Sequence, residues 1–290
     1  MGFSSVRDYV DDIDANGQFW HTSWQKTVGI APYTAGRWYD MTMLAGSPRS
    51  NVYPGGQLEA KALTYRSAGN LWHAGAVSPA TKHVKLAEAR VTGATTVPST
   101  LMLCDFLLFY ALMDCDEPGV QTMDNTVTLP RYADGKGVKA MIVATQDLGA
   151  ATASIWMDYR DSDGDDGRNI PVTVNTVASS IAGQIIHSGT SVGNYGPFLP
   201  LQAGDKGIRR INSIQLSNGC GGGWAAIVLV KPLLTIPIFN IDIALERDYF
   251  TDLPSLPRVY DGAYLGWLLF AGSAVPAGSK YSGRVEFAWG

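Results

Sequence analysis

A chain of 290 residues that is 46% hydrophobic and only 17% charged, with 8 Trp and 13 Tyr, has the composition of a packed globular protein and not of a disordered one. Its formal net charge of -4 argues against a main task of covering nucleic-acid phosphates, which draws on clustered Lys and Arg, so no direct nucleic-acid partner is expected. The longest apolar run is broken by Asp105 and is too short to cross a bilayer, and the N-terminus MGFSSVRDYVDD lacks a secretory apolar core. A soluble protein made without export, and no membrane partner, are therefore expected.

Residues 1–50 are loosely patterned, with Phe19, Trp20, Trp24, Trp38 and Tyr39 scattered among turn formers. They predict a loosely structured, extended N-terminal arm or edge region, whose aromatics either anchor on another surface or cover the chain's own core. Residues 51–290 predict the main β-rich sandwich domain, open to subdivision. GSPRSNVYPGGQ (46–57) is a turn and loop signal, and Gln57 to Ser67 has the composition of a short helix. The run Leu101 to Met113, between two turn-rich flanks, has neither helical nor strand period; it fits a buried helix or a core strand, and the surrounding strands favour a long central strand.

Beyond it, Thr126 to Leu129 and Val138 to Thr145 enclose PRYADGKG, whose Asp-Gly and Lys-Gly steps suit a tight reversal. Further strands are predicted at Ala153 to Tyr159, Ile170 to Val177, Ile208 to Leu216, Trp224 to Val230, Tyr264 to Phe270 and Arg284 to Trp289. Short strands between Gly- and Pro-rich loops describe an all-β protein, a β-sandwich with the jelly roll as its specific version, better than βαβ units.

Signals for chemistry are sparse. Cys104, Cys115 and Cys220 form no C-x-x-C pair; the first two, in or beside apolar sequence, read as buried thiols, and folding in a reducing cytosol fits. His21, His73, His83 and His187 are far apart in sequence and give no short metal-ligand pattern. There is no G-x-S-x-G elbow, and SNGCGGGW lacks the Lys-Ser/Thr of a phosphate loop, so it reads as a hairpin. Asp114, Asp116 and Glu117 are adjacent carboxylates without a recognisable cleft. The protein is expected to be non-enzymatic.

One small-ligand candidate stands out. In Asp161-Ser-Asp-Gly-Asp-Asp-Gly167, Asp161, Asp163 and Asp165 have the alternating oxygen spacing of a calcium loop, although Asp166 replaces the sharp-turn Gly and Val172 the closing Glu. Calcium is thus the only cofactor suggested, against the alternative of a solvated acidic turn.

Several segments resemble tailed-bacteriophage virion proteins of the minor head, capsid-decoration or cement-like kind. These are Trp38-Tyr-Asp40 followed by AGSP, NLWHAGAVSPATKHVK (70–85), LMLCDFLLFYALMD (101–114), QTMDNTVTLPRYADGKGV (121–138), LPLQAGDKGIRRINSIQLS (199–217) and GRVEFAWG (283–290). The resemblance implies a subunit assembled in the host cytoplasm and located in the virion. It would bind the major capsid protein or neighbouring virion subunits, with self-association, and carries over no catalytic residues. Trp20, Trp24 and Arg131 are the partner-binding candidates, because aromatic and Arg side chains are frequent interface anchors. A tail, connector or baseplate component and a glycan- or surface-binding β-sandwich are the alternatives.

Overall fold

The computed structural model describes residues 3–93, 97–189, 196–249 and 256–290. In chain order the elements are α1 (Val6–Asp14), β1 (Phe19–Thr27), β2 (Arg37–Asp40), a 3-10 turn (Met41–Met43), β3 (Ala45–Ser47), β4 (Ala60–Ala62), β5 (Lys82–Thr92) and β6 (Ser99–Asp114). They continue with β7 (Gln121–Thr122), β8 (Lys139–Ala144), β9 (Ser154–Asp161), β10 (Arg168–Asn169), β11 (Val174–Asn175) and β12 (Ile208–Leu216). The last are β13 (Trp224–Ile238), β14 (Leu245–Asp248), β15 (Arg258–Val259), β16 (Leu265–Ala271) and β17 (Lys280–Trp289).

The strands form three antiparallel sheets. The central sheet has the order β2-β16-β6-β13-β8, with β4 also paired to β6. A second runs β14-β5-β17-β1-β3, with β15 on β5, and a third runs β10-β9-β12-β7, with β11 on β9. The molecule is the all-β sandwich that the turn-punctuated sequence predicts.

The apolar run that defines β6 explains the layering. Its register with β13 sets Leu101 opposite Ile236, Leu103 opposite Leu234, Leu108 opposite Leu229 and Tyr110 opposite Ile227. The first two pairs pack with Trp24, Val84, Val285 and Phe287 of the second sheet. The last two pack with Met157, Tyr159, Ile211 and Ile214 of the third. Cys104, Phe106 and Phe109 form a third cluster with Tyr53, Met141, Val228 and Leu268. Every position of the run therefore meets protein, which is why it has no amphipathic period. Register shifts between Leu229 and Val230 and between Pro232 and Leu234 bend the pair where one outer sheet gives way to the other.

The two edge strands of the central sheet, β2 and β8, are bridged by one segment. Residues 183–186 bond to β2 through Asp40 N to Gly183 O (2.7 Å) and Ile185 N to Trp38 O (2.9 Å). They bond to β8 through Ala144 N to Gln184 O (2.9 Å) and Ile186 N to Ile142 O (3.0 Å). Edge groups that would otherwise template aggregation are thus occupied.

Several local expectations are corrected. Residues 57–67 are not helical: Leu58 N bonds Ala111 O (2.7 Å) and Leu63 N bonds Leu107 O (2.9 Å), so long-range pairing of β4 to β6 overrides helical composition. Residues 126–129 are not a strand, because the Asp124 carboxylate takes Thr126 N (2.9 Å) in a local turn. Of the predicted strand 170–177 only β11 (Val174–Asn175) is formed; β10 ends at Asn169, ahead of Pro171, which cannot donate to a ladder.

The N-terminal stretch is not loose over residues 19–27. β1 pairs with β17 from Phe19↔Ala288 to Thr27↔Lys280, and its Trp24 packs on Trp267 at 5.2 Å between ring centroids. Ahead of it, α1 is capped by Ser5, whose hydroxyl accepts from Asp8 N at 3.1 Å.

Candidate functional site

The partner-binding candidates separate on burial. Trp20 is 41% exposed on β1, whereas Trp24 is 2% exposed inside the core and unavailable to a partner. Arg131 is also spent inward. Its Nε and Nη2 donate to the Asp105 carboxylate at 2.9 and 2.7 Å, Nη2 also to Phe106 O at 2.9 Å, and Nη1 to Leu63 O at 3.1 Å. Asp105 additionally accepts from Tyr264 N at 3.0 Å. This bidentate pair sits between the two packing regions of β6 and acts as a structural clamp.

The acidic turn is organised by backbone amides and guanidinium groups. Asp161 Oδ1 accepts from the amides of Asp163 (2.9 Å), Gly164 (2.8 Å) and Asp165 (2.9 Å), so it shapes the turn. Arg210 Nη2 lies 3.1 Å and Arg160 Nη1 3.8 Å from the Asp166 carboxylate, while Arg168 Nε lies 3.9 Å from Asp161 Oδ2. Arg209 donates twice to Ser162 O, at 3.2 and 2.7 Å. Of the four acids, Asp161 and Asp166, whose repulsion the sequence leaves to a cation or to solvent, have arginine partners in Arg168, Arg160 and Arg210. Among the described residues, no three His, Cys, Asp or Glu side chains are grouped as a metal would need.

The histidines and cysteines are mostly internal. Burial and the neighbouring Lys82 ammonium push His73 down to about 4, and burial pushes His187 down to about 3. His187 Nε2 accepts from Ile142 N at 3.3 Å. Burial raises all three thiols, which are inert at neutral pH in that state.

The site with the most distinctive chemistry is a cleft of about 450 Å³ where loops 78–81, 130–131 and 260–262 meet the start of β5 and β15. Lys82, Arg131 and Arg258 line it, with Asp261 as its acid. Lys82 Nζ is buried, donates to His73 Nδ1 at 3.0 Å and to Gly75 O, and is pushed down to about 8 by desolvation against the opposing charge of Asp261. Because the ammonium can only donate, His73 Nδ1 is the acceptor and Nε2–H donates to Ala263 O at 3.0 Å. Asp261 Oδ1 accepts from Val77 N at 2.9 Å.

Arg258 differs from its neighbours. Its guanidinium lies over the Tyr260 ring at 4.3 Å, and Tyr260 is held edge-on by Tyr132 at 4.8 Å. Among the described residues no carboxylate pairs with it. Beyond Thr64 on the rim, Tyr65 and the 43%-exposed Trp72 are 5.7 Å apart, and Arg66 lies 5.3 Å over Tyr65. A larger groove of about 510 Å³ on the outer face of the second sheet is lined by Glu88, Arg90 and Arg284. There Arg284 is already neutralised by Glu88 (3.1 Å) and Glu246 (3.3 Å).

Sequence reasoning missed Arg258, Tyr260 and Lys82. The cleft assembles residues far apart in the chain, and none lies in a motif.

No protein-family model matches the sequence, and no curated protein matches it. Among solved structures, one chain from the structure of infectious bursal disease virus Gx strain aligns at 10% identity over 93% of this chain and 80% of that one, with a TM-score of 0.16. A score at that level carries no argument about fold or function.

Proposed function

We propose that the protein is a non-enzymatic structural subunit of a tailed-phage particle that binds the capsid lattice and decorates or stabilises the head through protein–protein contacts. In this reading it is assembled in the host cytoplasm and resides in the virion, against the major capsid protein or other virion subunits, with self-association among its contacts. The observation that carries the reading is the exposure of large aromatic side chains on a β-scaffold: Trp20 (41%), Trp72 (43%) and Trp156 (46%) all face outward. Tryptophan is among the residues most enriched at binding hot spots. Trp156 stands exposed on β9 opposite Gln215 of β12, and the exposed Val120 immediately precedes β7 on the far side of β12. The virion assignment itself rests on the six sequence segments that resemble phage head proteins.

Purified particles test it. Mass spectrometry should find the chain at a fixed copy number, and cryo-electron microscopy should place it on the head lattice with a tryptophan-bearing face in contact. Absence from the particles sinks the proposal, and a position in the tail, connector or baseplate replaces the head assignment.

A further inference from the structure

We propose that the cleft lined by Lys82, Arg131 and Arg258 receives a carboxylate side chain presented by an acidic segment of a neighbouring virion subunit. The inference rests on the subunit reading and names the chemistry of one contact. Three cations and one acid line the cleft, but they are unequally available. Arg131 is neutralised by Asp105 and Lys82 Nζ has given two of its three donors to His73 and Gly75. Asp261 is held by the Val77 amide.

Arg258 remains. Its guanidinium carbon lies 4.3 Å from the centroid of the Tyr260 ring, and the planar donor fork of an arginine matches a carboxylate. The unspent charge of the lining is positive, so the complementary partner is an anion.

Size selects among anions. A water-sized occupant needs about 30 Å³, and a cleft of about 450 Å³ accommodates a side chain with its flanking backbone. Thr64, Ser78 and Thr81 on the lining provide hydroxyls for such a backbone. A nucleic-acid phosphate is disfavoured by the chain's formal net charge of -4, which does not sustain attraction along a polyanion.

The test is calorimetric titration of the full chain with a short peptide carrying a central Glu-Glu pair, the same peptide with Gln-Gln, and inorganic phosphate. Saturable binding of the acidic peptide is expected, weakened about tenfold or more in Arg258→Ala. Arg66→Ala, which removes an equal charge from beside Tyr65 but does not line the cleft, should leave binding unchanged. Thermal melts establish that both variants are folded. No saturable binding, equal affinity for the Gln-Gln peptide, equal losses in both variants, or phosphate binding as tightly as the peptide would each overturn the proposal. Failure here with the chain nonetheless present in particles removes this contact and leaves the subunit reading standing, whereas absence from particles with intact peptide binding does the reverse.

Discussion

Replacing Asp105 by Ala should be among the most damaging single changes in this protein. Asp105 is 1% exposed and Arg131 8%, and the carboxylate satisfies Arg131 Nε, Arg131 Nη2 and Tyr264 N together. Its removal leaves a guanidinium that cannot deprotonate inside the seam where the two outer sheets meet β6. Breaking one side of a buried pair costs about 3–5 kcal/mol, which at roughly 2–4 °C per kcal/mol for a chain of this size lowers Tm by about 10 °C. Arg131→Met should cost less, because burial already pushes the Asp105 carboxyl up and it can take a proton once its partner is gone. The double variant Asp105→Ala with Arg131→Met removes both charges and should be more stable than the sum of the two single changes by about 1–3 kcal/mol. Urea unfolding followed by tryptophan fluorescence measures all of these. An Asp105→Ala variant within about 1 kcal/mol of the parent, or strict additivity in the double variant, refutes the clamp.

Acid should weaken the fold before the carboxylates titrate. His73 and His187 ordinarily titrate near 6.5 and are held neutral down to about 4 and about 3, so between those values the unfolded chain binds more protons and stability falls as pH falls. Two such groups give a slope approaching ~2.7 kcal/mol per pH unit below about 6; urea midpoints at pH 7, 6 and 5 read it, and a flat profile contradicts it. At the acidic turn, Asp161→Ala removes the acceptor of three backbone amides and should cost roughly 1–3 kcal/mol. Millimolar calcium should leave Tm unchanged in parent and variant alike, and a calcium-dependent rise in the parent alone would restore the cation reading.

The sequence was most informative where burial is one-sided or complete. β12 coincides with the predicted 208–216, because Ile208, Ile211, Ile214 and Leu216 face the core and polar residues separate them. β6 extends the predicted central strand only to Ser99–Asp114. It was less informative where partners are remote. β5 is KHVKLAEARVT, whose Ala, Glu and Lys favour helix, yet Val84, Ala87, Ala89 and Val91 are buried against β17 and β13 around a register shift at Glu286/Phe287. α1 had a local signal in Ser5 followed by Asp8, but its short span between turn formers hid it.

The same limit governs the site, and two nearly identical stretches show why. Leu129-Pro130-Arg131-Tyr132 and Leu256-Pro257-Arg258-Val259-Tyr260 both follow Leu-Pro with Arg and place a Tyr one or two residues later, and both arginines line one cleft. The first arginine has a buried aspartate opposite it on β6 and becomes a clamp, while the second lies over an aromatic ring, pairs with no carboxylate among the described residues, and in the proposed contact gives its charge to a partner. Nothing local distinguishes them. In a chain with only 17% charged residues, whether a charge is free for a partner depends on what remains after intramolecular pairing. Arg168 with Asp205 at 2.6 Å and Arg210 with Asp166 at 3.1 Å are spent in the same way as Arg131. Under the proposed reading, Arg258, which no described carboxylate pairs, is the better partner candidate than Arg131, to which the frequency of Arg at interfaces points.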